Sequence, residues 1–98
     1  MASIFIASLT YTAPIERIDA VLDDHLAWLN AGHEAGHFIA WGPREPRDGG
    51  LIFVKAASRE EAERLLAEDP FMTEGLADLS IMQWTPRFAF PGLEAFNA

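Results

Sequence analysis

Cysteine is missing altogether from this chain of 98 residues. Its absence excludes a disulfide framework, a thiolate nucleophile and any cysteine-ligated metal or iron–sulfur site. Basic residues are scarce as well, 7 against 15 acidic ones, for a formal charge of -8 and a pI near 4.6. Nucleic acid and anionic lipid are held through basic surface, so neither is an expected partner. No apolar run approaches the roughly 20 residues a membrane helix needs, and the start, Met-Ala-Ser-Ile-Phe-Ile-Ala-Ser, lacks the basic n-region of a secretory signal. A soluble cytoplasmic protein is the expectation. Nucleotide fingerprints, phosphate loops and nucleophile motifs are not found, so no cofactor is expected either.

What the chain does have is a hydrophobic half, enough for one domain around a single core. From Ile15 the residues Ile18, Leu22, Leu26 and Leu29 recur at the spacing that stacks side chains on one helix face. At roughly 100° per residue, His25 falls about 50° from the centre of that stripe, which aims an ionisable ring at or beside the core. Imidazole changes charge near neutral pH, which suits it to proton transfer. The alternative is a structural histidine whose nitrogens are satisfied by backbone or water.

Ser3 to Tyr11, rich in β-branched and aromatic residues, predicts a first strand, and Pro14 opens a helix running to Ala35 with Gly36 as its left-handed terminator. His37 to Gly42 and Leu51 to Ala56 predict two strands of a hairpin, joined through Arg44 to Gly50 with an Asp-Gly-Gly turn signal. Ser58-Arg59-Glu60-Glu61 is a capping box opening a second helix, whose apolar face is Ala62, Leu65 and Leu66. Pro70 interrupts it at Asp69, residues 70 to 75 make a short turn, and Leu76 to Thr85 is the last strand. The domain proper is placed at 1–87. The remaining tail, 88–98, is apolar, with Phe88, Phe90, Leu93 and Phe96, and is expected to pack on its own subunit or on a partner.

The order β-α-β-β-α-β is that of the α+β ferredoxin-like fold, a four-stranded antiparallel sheet with its helices on one face. One sheet face is then bare. Strands one and three are nearly continuous apolar runs, so the bare face is expected to meet a second copy, giving a homodimer through sheet faces. The tail offers contacts for a higher oligomer. Ser8 and Thr10 are expected to line the cavity between sheet and helix.

Four short segments, Leu9-Thr10-Tyr11, His25-Leu26-Ala27-Trp28-Leu29, Gly42-Pro43-Arg44 and Glu68-Asp69-Pro70-Phe71, occur in an order and spacing that resembles the YciI-like (YCII-related) family over roughly residues 3 to 87. The resemblance implies a dimeric ferredoxin-like domain, similar to the dimeric α/β-barrel group that includes muconolactone isomerase. It also implies a site built on a His–Asp pair, which maps onto His25 and Asp69. Some relatives resemble dehydrochlorinases or lactone-processing enzymes of aromatic degradation.

A carboxylate bonded to one ring nitrogen fixes the histidine tautomer and leaves the other nitrogen to move a proton. His25 and Asp69 are therefore the candidate catalytic residues, and isomerisation or elimination on a small organic acid or lactone-like substrate is the candidate reaction. A non-catalytic domain that holds a small ligand in the same pocket is the alternative. Asp69 before proline is equally a helix N-cap, and the two roles are compatible. Arg44, as a clamp for a substrate carboxylate, Tyr11 and Ser8 are the candidate substrate-binding residues. Arg44 is otherwise a solvated loop residue or a partner of Glu45. His33 and His37 stand four apart, but Gly36 is expected to end the helix between them, so no metal site is expected. Trp28, Trp41 and Trp84 are read as core or interface before ligand stacking.

Overall fold

The computed structural model describes residues 2–97. Its order is β1 (Ser3–Tyr11), α1 (Ile15–Glu34), β2 (Phe38–Pro43), β3 (Gly49–Ala56), α2 (Arg59–Ala67), α3 (Pro70–Thr73) and β4 (Ala77–Trp84), with a last 3-10 turn at Glu94–Phe96. The four strands form one antiparallel sheet in the order β2-β3-β1-β4. This is the ferredoxin-like fold of the dimeric α/β-barrel type expected from the chain.

Side chains of a strand alternate between the sheet's two faces, and directly paired residues share a face. Phe5, Ala7 and Leu9 of β1, with Ile52 and Val54 of β3, therefore point one way, and they pack into a buried core with Ile18, Leu29, Ala62, Leu66 and Phe71 from the helices. A register shift between Phe38 and Ala40 lets Phe38 and Trp41, three residues apart, pair with Val54 and Ile52 and face the same core. Ile6, Ser8 and Thr10 point the other way, with Leu51, Phe53, Ser80 and Met82 beside them. Among the described residues no α-helix covers that face, and Met82 is 63% exposed. The tail reaches one end of it: Phe96 lies edge-on to Phe53 and Trp84 at centroid distances of 5.5 and 6.2 Å. Phe88 and Phe90 stay exposed.

Most element ends follow from local chemistry. Gly36 adopts φ 85° after the last turn of α1, and its N–H and that of His37 bond back to the carbonyls of His33 and Gly32, the Schellman pattern. The Ser58 hydroxyl accepts from the Glu61 N–H, while the Glu61 carboxylate reaches one residue further back than the simple box, to the Ala57 N–H.

Two ends differ from expectation. Pro14 is the N-cap of α1 instead of its first helical residue, because its ψ of 149° is extended while its carbonyl accepts from Arg17 and Ile18. The Asp-Gly-Gly run is not all turn: Gly49 and Gly50 already pair with Thr10 and Leu9. A Cβ on Gly49 would collide with the Leu9 carbonyl and the Arg44 guanidinium, so this approach is open to glycine alone.

Gly32 lies inside α1, where alanine would normally add about 1 kcal/mol of helix stability. A Cβ there would overlap the ring of Phe38, which is buried in the core. The clash outweighs the propensity gain. Gly32→Ala is expected to destabilise the protein by about 1–3 kcal/mol, read as a fall in the urea midpoint with an unchanged slope.

Candidate active site

α1 turns Ile18, Leu22, His25 and Leu29, at steps of four, three and four, toward the sheet, while Leu26 is left exposed. His25 thus sits on the seam itself, closer to its centre than the Leu26-containing stripe predicts. Across from it, Asp69 caps α3. Pro70 occupies the first helical position, where a missing N–H is harmless, and the Asp69 carboxylate accepts from the Phe71 N–H at 2.9 Å. The same oxygen, Oδ1, lies 2.7 Å from Nδ1 of His25. A carboxylate can only accept, so Nδ1 carries the hydrogen and donates it.

Phe71 completes the clamp. Its ring stacks on the imidazole at a centroid distance of 3.9 Å and 12° between planes, and Trp28 lies 5.9 Å away. The three successive residues Asp69, Pro70 and Phe71 therefore cap a helix turn, fix a tautomer and hold the ring flat. Asp69 is 0% exposed, and its Oδ2 has no hydrogen-bond partner. It does not line the cavity described next, so it reaches a ligand only through His25.

The His25 side chain is 13% exposed and borders a cavity of about 270 Å³ between α1 and the β2–β3 end of the sheet. With Nδ1 bound to Asp69, Nε2 is the nitrogen left for a ligand. The walls are almost wholly apolar: Leu9, Leu22, Leu26, Leu29, Trp41, Ile52 and Phe71. An apolar cavity of about 150 Å³ already takes benzene, so this volume admits a single ring with substituents. Tyr11, edge-on to Phe71 at 5.7 Å, and Arg47 supply the polar groups of the lining besides His25. Arg47 donates from a terminal nitrogen to Asp19 Oδ1 at 2.7 Å. That bond, with a smaller contribution from nearby Tyr11, raises the Arg47 guanidinium above its ordinary pKa.

His25, Asp69 and Tyr11 are thus brought together, whereas Arg44 and Ser8 are not. Arg44 lies on the bare sheet face, donating to Ser8 Oγ at 2.9 Å, Thr10 Oγ1 at 3.1 Å and Asp48 Oδ1 at 3.0 Å. Ser8 and Thr10 are even-numbered in β1 and Leu9 and Tyr11 odd, so the sheet itself separates the two groups. The cation at the cavity is Arg47, three residues further along the same loop. Only the path of that loop across the sheet edge distinguishes the two arginines, and no local pattern announces it.

His33-Glu34-Ala35-Gly36-His37 has the complete lettering of a helical zinc motif, so spacing does not argue against a metal. The break at Gly36 does separate the two rings: His33 Nδ1 donates to the Phe38 carbonyl and His37 Nδ1 to the Lys55 carbonyl, each at 3.1 Å. Among the described residues no cluster of three or more His, Cys, Asp or Glu could hold a metal ion. Trp28 packs on Phe38, Trp41 lines the cavity and Trp84 meets the tail.

The model of the YCII-related domain matches residues 4–85. The chain belongs to this family. None of the curated proteins compared with it matches. Among solved structures, this YCII-related domain is similar to 5-chloro-2-hydroxyhydroquinone dehydrochlorinase from Burkholderia phenoliruptrix, solved in complex with 2,5-dihydroxybenzoquinone. The TM-score is 0.73 at 18% identity, covering 83% of this chain and 92% of that one. It is also similar to SnoaB, a cofactor-independent oxygenase from Streptomyces nogalater, with a TM-score of 0.52 at 15% identity, covering 92% and 97%. At these identities the likeness is one of fold. No helix among the described residues is long and apolar enough to cross a membrane.

Two measurements check the pair directly. Nitrogen-15 NMR should find neutral His25 protonated on Nδ1, with Nε2 bare. Asp69→Ala removes the cap and leaves two N–H donors without an acceptor, so a loss of about 2–3 kcal/mol and release of that tautomer are expected together.

Proposed function

We propose that this YCII-related domain is a small enzyme in which His25, oriented by Asp69, moves a proton on a small ring compound of the organic-acid or lactone-like class. The observation that carries this reading is the 2.7 Å contact between His25 Nδ1 and buried Asp69, on the imidazole of the cavity lining. Neutral His25 takes a proton through Nε2 from a carbon next to a carbonyl. The bond pair left behind becomes an enolate, and the imidazolium faces the Asp69 carboxylate. Collapse of the enolate then expels a leaving group with its electron pair, which is elimination. Alternatively His25 returns the proton to another carbon of the conjugated system, which is isomerisation. The dehydrochlorinase of the same fold is consistent with the first course.

A purely ligand-holding role is the second reading, favoured by walls that offer hydrocarbon on nearly every side. The proposal extends to a homodimer through the bare face carrying Ile6, Phe53 and Met82, and to the cytoplasmic location expected from the sequence. Light scattering after gel filtration should give twice 10.8 kDa, and Met82→Asp should return the monomer.

Enzyme and binder separate in heavy water. Single-ring chlorinated hydroquinones, hydroxyquinones and unsaturated lactones are incubated with the protein, and deuterium uptake and leaving-group release are followed. The wild type should accelerate one of them, and His25→Gln should lose about 10²–10⁴-fold of that rate. Binding without exchange or release across the panel would replace the enzyme by the ligand-holding domain.

A further inference from the structure

The cavity is apolar except where Tyr11, His25 and Arg47 meet it, and Arg47 is its one cationic side chain in a chain of net charge -8. Arg47 and Asp19 are 38% and 52% exposed, so their ion pair contributes little to stability in water. Its consequence is positional, since it ties a mobile guanidinium from the β2–β3 loop to α1 at the edge of the cavity. A guanidinium has five N–H donors; Asp19 takes one nitrogen and the Tyr11 hydroxyl lies near, and the remaining N–H groups are open to an incoming group. Arg44, the other arginine of this loop, is occupied on the far face by Ser8, Thr10 and Asp48.

We infer that Arg47 selects the substrate, and that the substrate is a single-ring compound bearing an anionic oxygen, with the ring against the apolar walls and the oxygen on the Arg47 guanidinium. This inference rests on the reading above that the His25 cavity is the substrate site, and it adds the substrate's charge. The hydrocarbon walls take the ring, while the guanidinium at the cavity edge offers the anionic oxygen a charge-assisted hydrogen bond that a neutral group does not receive. A neutral ring of the same shape gains the walls and forgoes the cation.

Benzoate and benzamide are matched in shape and differ in charge, so calorimetric titration of both into the full chain tests the inference. Wild type should bind benzoate about tenfold more tightly than benzamide, with the difference shrinking as salt rises. Arg47→Gln should equalise the two by weakening benzoate alone, and its retained benzamide binding shows the cavity intact. Arg47→Lys should keep part of the preference. His25→Gln should leave the preference in place, so the charge selection stands even where proton transfer is not found. Equal binding by wild type, no binding of either probe, or a preference that survives Arg47→Gln would overturn the inference.

Discussion

One carboxylate oxygen, Oδ1 of Asp69, joins the two halves of this site. It accepts from the first turn of α3 and from a histidine 44 residues earlier in the chain, and it does so with no exposure to solvent. A buried carboxylate without donors would carry a large desolvation penalty, so each donor stabilises the arrangement that the other requires. The helix cap holds the oxygen in place, and the oxygen holds the ring. Phe71, the very residue whose N–H is capped, then stacks on that ring, so the backbone bond and the aromatic contact fix the same orientation. Nε2 is aimed as a consequence.

The sheet is the second constraint, because it divides the polar residues between two environments. On the helix side a ring nitrogen and one guanidinium border an apolar cavity. On the bare side Arg44 is absorbed into a set of hydroxyls and a carboxylate beside Leu51, Phe53 and Met82. Pairing of Gly49 and Gly50 with β1 brings the loop in close enough for Arg44 to reach Ser8 and Thr10. The cavity on one face is thereby kept apart from whatever meets the other.

Much of this was legible in the chain, because local rules and the fold agree. The order of strands and helices, the stop at Gly36, the capping box at Ser58 and the N-cap at Asp69 all rest on backbone chemistry confined to a few residues. The His25–Asp69 pair follows from the resemblance of four short segments to a family, and in the structure the two side chains share a hydrogen bond. What escaped depends on features that span the sheet. Both Ser8 and Arg44 belong to the face away from His25, which requires knowing the parity of β1. The Phe38–Trp41 pair needs a bulge that alternation cannot show. Arg47 is polar, lies in a loop and carries no motif, so only its tertiary neighbours distinguish it.

The most direct test of the site follows the two nitrogens of His25 separately while 2,5-dihydroxybenzoquinone is added to nitrogen-15-labelled protein. A ligand in the cavity should move the Nε2 resonance while Nδ1, held by Asp69, stays in place. Movement of Nδ1 instead, or no movement of either with the ligand bound, would contradict the orientation on which the proposed chemistry depends.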